Sequence, residues 1–243
     1  MQAMKAVFLA AGKGQRMQPL TYHIPKALLK IAGKTLLEHN IDKLPDSVDE
    51  LIIVVGHLKE QIINYFGSRF HGRPVKYVEQ KKALGTGHAV SLCSRFVQGD
   101  FLVLMADDLY GKEDIANIAN HKNSALLVKR LRSKFRGGKI ISDPYSNALL
   151  EIREGVHESG LVNAALYKLS SDFFNYPLVQ IPETKEYGLP QQLLVYAKEH
   201  KVDSIEAKEW IQISDLKDAA RVEKKICKDN NCQNLSFIEY FKS

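Results

Sequence analysis

Four short apolar runs, with helical segments between them, restrict the fold of this chain more than any other feature. The runs are residues 6–9, 51–55, 75–78 and 101–105, and the helical segments are 58–66 and 86–96. Runs that are apolar on both faces are typical of strands buried in a parallel sheet. Their alternation with helices predicts an α/β fold with helices on both faces of the sheet. Further on, the pattern predicts strands at 125–128 and 161–167 and helices at 190–199 and 216–227.

A glycine-rich segment follows the first of these strands and closes with Pro25 and Lys26. Its residues are Leu9, Ala10, Ala11, Gly12, Lys13, Gly14, Gln15, Arg16 and Met17. Glycines let backbone N–H groups approach a phosphate, while Arg16 adds a forked cation and Lys26 a point charge. The segment lacks the third glycine of the dinucleotide fingerprint and the Gly-Lys-Ser/Thr end of the ATPase phosphate loop. We therefore predict a long functional loop rather than a tight turn into a helix.

A second polar segment lies just before the predicted helix at 86–96. It reads Gln80, Lys81, Lys82, Ala83, Leu84, Gly85, Thr86, Gly87, His88, Ala89 and Val90. The amide of Gln80 has both a donor and an acceptor, so it matches the alternating N–H and carbonyl groups of uracil or thymine. Gly85 lets the backbone approach a base, and Thr86 starts the helix. The alternative interpretation is a plain helix cap after a turn, which Thr86 satisfies by itself.

Two acidic residues, Asp107 and Asp108, follow directly on the apolar run 101–105. In an α/β sheet, ligands bind beyond the carboxyl ends of the strands. The glycine-rich loop and Asp107 both fall there, so we predict that they share one site. A turn or a helix cap is the alternative role for Asp107, and Asp108 has the weaker case for function.

Together these segments resemble the signature of the sugar nucleotidylyltransferases. The matching residues run from Leu9 to Met17, then Pro19, Leu20 and Thr21, then Pro25, Lys26, Ala27 and Leu28. Segment 80–90 resembles the uridylyltransferase part of the enzymes that make UDP-N-acetylglucosamine. The resemblance covers about residues 4–225 and is strongest before residue 110. It implies a Rossmann-like nucleotidyltransferase domain with a mostly parallel mixed sheet flanked by helices. The implied reaction joins a nucleoside triphosphate, with UTP or dTTP favoured, to a sugar 1-phosphate and releases pyrophosphate.

The resemblance also implies roles for individual residues. The catalytic residues are Arg16, Lys26 and Asp107. The nucleotide-binding residues are Leu9, Ala10, Ala11, Gly12, Gly14, Gln80, Gly85 and Thr86. Glu154 and Asn163 bind the acceptor, and Asp107 and Gln212 hold Mg²⁺, which offsets charge developing in phosphoryl transfer. No protein nucleophile is implied, because an acceptor phosphate oxygen attacks the α-phosphorus directly.

One departure from the family pattern concerns the acceptor phosphate. Gly155 stands where the family has a lysine that contacts this phosphate. The residues that remain as sources of the missing charge are Arg136, Lys139 and Arg153. The sequence does not choose among them.

Two further departures concern the metal and the sugar. Gln212 stands where the family has an aspartate that completes the Mg²⁺ site, and Asp215 is the alternative ligand if the register shifts. Ala165 replaces a glycine of the family's Val-Asn-Ala-Gly strand, so we expect a slightly raised floor in the sugar pocket. Asn163, in the same strand, has the alternative role of holding the backbone.

Two other functions stay open. The residues at Gly155 and Gln212 favour an unusual acceptor, so the chain is alternatively a cytidylyltransferase for phosphocholine or another small phosphate. The second alternative is a catalytically silent homologue that binds nucleotide as a regulatory subunit. Retention of Arg16, Lys26 and Asp107 together argues against that role.

Charge and cysteine content narrow the partners. The net charge of +6 suits nucleotides and sugar phosphates. We expect no nucleic-acid partner, because the basic residues are dispersed apart from 129–136, which we interpret as a solvated face. Three cysteines without paired spacing argue against a disulfide framework or a zinc site, so a reducing cytoplasm is expected. No apolar run is long enough for a transmembrane helix, so we expect no membrane partner.

The chain of 243 residues has no internal repeat or linker, so we predict a single nucleotidyltransferase domain over 1–243. Its nucleotide-binding half is about 1–110, its acceptor-binding half about 111–225, and its tail 226–243. Aromatic residues of the tail are expected to pack onto the body. No acyltransferase repeat follows residue 225, so we expect no second activity of that kind.

Overall fold

Strands and helices alternate along residues 3–230, the part of the chain that the computed structural model describes. The strands are β1 (Met4–Leu9), β2 (Lys30–Ile31), β3 (Lys34–Thr35), β4 (Val48–Val55), β5 (Arg69–Phe70), β6 (Arg73–Glu79), β7 (Asp100–Met105), β8 (Asp108–Tyr110), β9 (Ser124–Leu131), β10 (Phe135–Arg136), β11 (Lys139–Ser142), β12 (Leu149–Arg153), β13 (Val156–His157), β14 (Gly160–Ser170), β15 (Val202–Glu206) and β16 (Trp210–Gln212). The α-helices are α1 (Leu36–Ile41), α2 (Lys59–Phe66), α3 (Thr86–Ser91), α4 (Lys112–Ala119), α5 (Leu189–Tyr196) and α6 (Leu216–Asn230). The expected packing of the aromatic tail lies outside the described residues.

The central sheet has the mostly parallel, mixed topology that was predicted. Within residues 3–230, ten strands form it, and the parallel strands β7, β1, β4 and β6 lie side by side. Leu9, the last residue of β1, pairs with Val54 of β4 and Met105 of β7. β14 runs antiparallel to β7 and joins β9, β11 and β12 to the sheet. The loops after β1 and β7 therefore leave the sheet at the same edge.

Apolar side chains cover both faces of the central strands, because successive residues of a strand point to opposite sides. Ala6 and Phe8 of β1 face a layer formed with α1, α2 and α4. Val7 and Leu9 face the other layer, formed with α3 and α5. A third cluster packs α6 against β2. Both faces of the sheet are thus covered by helices, which confirms the predicted α/β architecture.

The long loop between β1 and β2 contains no α-helix, as predicted. It is built from the 3₁₀ turns Gln15–Met17, Leu20–Tyr22 and Lys26–Leu28. Met17 is fully buried and belongs to the cluster under α6. The loop is therefore attached to the protein body at its middle, while Arg16 next to it stays exposed.

Several element boundaries differ from the prediction. The helix predicted at 86–96 ends at Ser91, and a separate 3₁₀ turn covers Ser94–Phe96. Thr86 is the first residue of α3, but it does not cap this helix: Gly85 is the N-cap and offers no side chain. The prediction omits α1, although its Thr35 and Glu38 form a capping box ahead of an apolar segment. Every helix among residues 3–230 is too short or too polar to cross a lipid bilayer.

Candidate functional site

A cleft of about 250 Å³ opens where β1 and β7 end. Its polar lining consists of Arg16, Lys26, Thr86, Asp107, Asp108, Asn163 and Gln212. The remaining lining residues are Met105, Ala165, Tyr167, Leu189, Pro190 and Ile213. Residues predicted from separate motifs in both halves of the chain thus meet in one cavity.

The glycine-rich loop forms a smaller cavity, of about 70 Å³, next to the cleft. The residues of the loop that line it are Leu9, Ala10, Gly12 and Gly14, together with Lys26 and Asp107. Gly14 has a left-handed φ of 59°, and a Cβ there would lie 2.9 Å from the Thr21 methyl group. Ala11 packs against Gly56 instead of lining the cavity. The loop therefore presents backbone rather than side chains to a ligand.

Lys26 and Asp107 form the central ion pair of the site, with 2.5 Å between Nζ and Oδ2. Their side chains are 10% and 29% exposed, so solvent screens this pair less than a surface pair. Arg16 forms no hydrogen bond or ion pair with any residue of 3–230. Its guanidinium is therefore available to an anionic ligand.

Asp108 is held by the protein. Its carboxylate accepts a hydrogen bond from Trp210 Nε1 at 3.2 Å, and its carbonyl accepts one from Asn40 Nδ2 at 2.6 Å. Burial, with the adjacent charge of Asp107, raises the pKa of Asp108 well above its usual range. Asp107, more exposed and bonded to Lys26, is the carboxylate that a cleft ligand can reach.

The loop before α3 is clamped by a segment from the second half of the chain. Tyr187 donates its N–H to Leu84 O at 2.7 Å and accepts the N–H of Gly87 at 2.8 Å. Gly85 has a φ of 97°, and a Cβ there would lie 2.4 Å from Tyr187 O. The close approach of two backbones therefore requires glycine at this position. Gln80 lies behind the loop and is 8% exposed.

On the acceptor side, β14 has a bulge between Asn163 and Tyr167. The Asn163 side chain accepts the N–H of Ala165 at 2.9 Å and donates to Tyr167 Oη at 2.7 Å. Ala165 has a left-handed φ of 54°, and Tyr110 donates its hydroxyl to the Ala165 carbonyl at 3.1 Å. Asn163 thus lies in the cleft and also holds the bulge, so both roles considered for it are compatible with its position.

Glu154 lies beside the cleft rather than in its lining. Its Oε1 is close to Gly138, where a Cβ would lie 3.1 Å away. Burial raises the pKa of Tyr167, and the nearby charge of Glu154 adds to this effect. Glu154 thus lies near Tyr167 but outside the lining of the cleft, and its contact with the acceptor stays a prediction.

None of the three residues considered as replacements for the missing lysine lines the cleft. Arg153 forms an ion pair with Glu151 at 2.7 Å. Arg136 lines a neighbouring cavity of about 480 Å³. Lys139 lies across Gly160, where a Cβ would be 2.7 Å from its Cε. The cations of the cleft itself are therefore Arg16 and Lys26.

The two alternatives for the second metal ligand occupy different places. Gln212 ends β16, pairs with Asp108 of β8 and lines the cleft. Asp215 accepts the N–H of Asp218 at 2.9 Å at the start of α6. Asp215 thus serves the helix terminus, and Gln212 is the residue that reaches the cleft.

Several residues that line the cleft could not be assigned to it from the sequence. Leu189 and Pro190 begin α5 and reach the cleft only because Tyr187 is bonded to the loop before α3. Tyr167 ends the Asn163 segment, and only the bulge aims it at the cleft. These contacts depend on tertiary structure.

The fold and the cleft define an α/β protein with a polar cavity at the carboxyl ends of its parallel strands. The chain belongs to the nucleotidyl transferase family, whose model matches residues 5–133. The bifunctional protein GlmU of Methanococcus maripaludis is 37% identical over 175 residues, which are 70% of this chain and 41% of that protein. The chain thus spans less than half the length of this relative. The UTP–glucose-1-phosphate uridylyltransferase AglF of Haloferax volcanii is 29% identical over 219 residues, which are 85% of this chain and 89% of that protein.

The fold also matches that of a solved structure. A Bacillus anthracis chain described as a glucose-1-phosphate thymidylyltransferase, crystallised with sucrose, superposes with a TM-score of 0.78. The match covers 97% of this chain and 99% of that one at 21% identity. At this identity the likeness establishes the fold.

The hydrogen bond between Thr86 and Leu189 joins the loop before α3 to the start of α5, and a substitution can test it. Thr86 Oγ1 accepts the N–H of Leu189 at 3.0 Å, although Leu189 begins a different helix whose N-cap is Gly188. We predict that Thr86→Val lowers the free energy of unfolding by about 1–2 kcal/mol, because a buried N–H loses its acceptor. Urea unfolding measures this change. Thr86→Ser keeps the hydroxyl and should stay within about 0.5 kcal/mol of the parent; an equal loss in both variants would contradict the prediction.

Proposed function

We propose that this protein is a sugar-1-phosphate nucleotidylyltransferase that transfers a nucleoside monophosphate from a triphosphate to a sugar 1-phosphate. The observation that carries the proposal is the meeting of Arg16, Lys26 and Asp107 in one cleft beside the glycine-rich loop. Two cations and exposed backbone suit a triphosphate chain, which binds through its oxygens. Membership of the nucleotidyl transferase family supports this assignment.

In the proposed reaction, a phosphate oxygen of the acceptor forms a bond to the α-phosphorus of the triphosphate. The bond between that phosphorus and the bridging oxygen to the β-phosphate breaks, and pyrophosphate leaves with its electron pair. Lys26 stabilises the charge that redistributes over the α-phosphate, and Arg16 with the loop backbone orients the β- and γ-phosphates. Catalysis by position and charge needs no protein nucleophile.

The oxygen donors of the cleft fit Mg²⁺. Asp107 supplies a carboxylate and Gln212 an amide oxygen, and both line the cavity. Among residues 3–230, no three His, Cys, Asp or Glu side chains are grouped to hold a metal ion. Mg²⁺ suits such a sparse protein site, because it keeps several waters and binds substrate phosphates. When bound, it supplies positive charge that neutralises phosphate oxygens during transfer. Asp107 and Gln212 are thus the residues that we propose hold it.

The base subsite is proposed at the loop before α3. Gln80 lies behind Gly85, and the N–H groups of Gly85 and Thr86 have no acceptor among residues 3–230. Free backbone donors next to an amide complement a pyrimidine edge on which carbonyls flank an N–H. UTP and dTTP carry that edge, so they are the proposed donors.

The acceptor is proposed to lie between the β14 bulge and the start of α5. Asn163 and Ala165 line this end of the cleft, with Pro190 on the opposite side. Glu154 is placed to act on the acceptor through Tyr167. A methyl group at Ala165 narrows this end, so a compact acceptor is favoured. We also propose that residues of about 1–110 form the nucleotide-binding half and residues of about 111–225 the acceptor-binding half. A cytoplasmic location is proposed as well.

Release of pyrophosphate from ATP, GTP, CTP, UTP and dTTP, each with a panel of sugar 1-phosphates and with phosphocholine, tests the function directly. We expect the highest kcat/KM with UTP or dTTP and a sugar 1-phosphate in the presence of Mg²⁺. The preference should favour these donors over ATP and GTP by about tenfold or more, since a polar base site rejects mismatched edges. A preference for CTP with phosphocholine would replace the proposal with the cytidylyltransferase. Nucleotide binding without turnover of any pair would indicate a regulatory protein.

A charge substitution tests the role of the central cation. We predict that Lys26→Ala lowers kcat by about a hundredfold or more, because it removes a charge aimed at the transferring phosphoryl group. Lys30→Ala is the matched control, since Lys30 lies nearby, carries the same charge and is exposed. Steady-state pyrophosphate release measures both variants, and circular dichroism checks the fold. A kcat for Lys26→Ala within about threefold of the parent would refute the role of Lys26.

Metal titrations test the proposed ligands. Asp107→Asn should raise the Mg²⁺ concentration for half-maximal activity and lower kcat, because the one exposed carboxylate of the cleft loses its charge. Gln212→Asp should lower that concentration, since it adds a carboxylate at the same place. Asp215→Asn is the control and should leave the Mg²⁺ dependence unchanged. If Asp215→Asn disrupts it while Gln212→Asp has no effect, Asp215 is the ligand.

A further inference from the structure

Gln80 is held by two acceptors that determine the orientation of its amide. Its Nε2 lies 2.9 Å from the carbonyl oxygen of Gly85. A carbonyl oxygen only accepts hydrogen bonds, so the atom that faces it must be the NH₂ group. The same nitrogen lies 3.0 Å from Nδ1 of His88. Since the NH₂ group only donates, His88 must accept with an unprotonated Nδ1 and carry its proton on Nε2.

The amide oxygen of Gln80 is left for a ligand. Both N–H groups of the amide have acceptors, in Gly85 and His88. The Oε1 atom has no donor among residues 3–230, and it is not one of the buried polar atoms that lack a partner. It is therefore partly open to solvent, and the unpaired N–H groups of Gly85 and Thr86 belong to the loop that follows Gln80. Without His88, Gly85 is the single remaining acceptor, so one hydrogen bond instead of two holds the amide and the direction of Oε1 is less restricted.

We propose that His88 is a positioning residue that presents Gln80 to the base as a hydrogen-bond acceptor and thereby sets the preference for UTP over CTP. The inference rests on the proposed function, because it needs the base to bind at this loop. Uracil offers an N–H at N3 as a donor to the unpaired Oε1, and its carbonyls suit the backbone N–H groups of the same loop. Cytosine has an acceptor at N3, which opposes the same oxygen. His88 therefore acts on specificity without touching the base.

Two variants separate this role from a structural one. In His88→Asn, Oδ1 takes the position of the imidazole Nδ1 and remains an acceptor. In His88→Leu, an apolar side chain fills the site and no acceptor remains. We expect His88→Leu to reduce the ratio of kcat/KM for UTP to that for CTP by about tenfold, mainly through KM for UTP, which corresponds to loss of one hydrogen bond. His88→Asn should keep the ratio within about threefold of the parent.

An equal change of the ratio in both variants, or no change in His88→Leu, would overturn the proposal. Equilibrium binding of UTP and CTP by calorimetry gives the same comparison without turnover, so it separates this inference from failure of the proposed reaction. UTP binding to the parent that is no tighter than CTP binding would also overturn it.

The tautomer of His88 provides a test that needs no variant to fold. Long-range ¹H–¹⁵N spectra of the parent at a pH where His88 is neutral, assigned by comparison with His88→Asn or by backbone connectivity, report which ring nitrogen is protonated. We expect the proton on Nε2. A proton on Nδ1 would show that His88 donates toward Gln80, and that result would overturn the proposed orientation of the amide.

Discussion

The pairing of β1 with both β4 and β7 is the constraint on which the site depends. Because these strands are parallel and in register at Leu9 and Met105, the loop that follows β1 and the acidic pair that follows β7 leave the sheet side by side. The ion pair between Lys26 and Asp107 spans the gap between the two loops. Burial of this pair strengthens their attraction, and it also keeps both charges where a phosphate chain would meet them.

A second set of contacts joins the nucleotide side to the acceptor side. Tyr187 exchanges backbone hydrogen bonds with Leu84 and Gly87, and Thr86 accepts the N–H of Leu189. These bonds connect the loop before α3 to the start of α5, and Thr86 and Leu189 both line the cleft. The absence of a Cβ at Gly85 is what permits this approach. In the proposed function, these contacts link the base subsite to the acceptor subsite.

Much of the site was predictable, because its residues belong to local patterns with a defined physical role. Gly14 is required by a left-handed turn, and Asp107 follows a strand whose apolar character is evident from the sequence. Thr86 starts α3 as predicted, but the alternative role of a plain cap does not apply, since its hydroxyl accepts the N–H of Leu189 of another helix. Glu154 was expected to bind the acceptor by resemblance, yet it is not among the residues that line the cleft. The place of Asp215 was also predictable, because an aspartate three residues before another at the start of an amphipathic segment is a local helix-cap pattern.

By itself, the sequence determined the α/β class and the order in which the motifs follow the central strands. It also determined which chemical groups are available to bind phosphate, base and metal. Periodicity and glycine placement suffice for this, because they act through neighbours along the chain. Only the tertiary structure decided which of those groups share a cleft, that Arg136, Lys139 and Arg153 stay out of it, and that the amide nitrogen of Gln80 faces Gly85 and His88. Such outcomes depend on contacts between residues far apart in sequence, for example Lys26 with Asp107, and no local pattern encodes their distance or orientation.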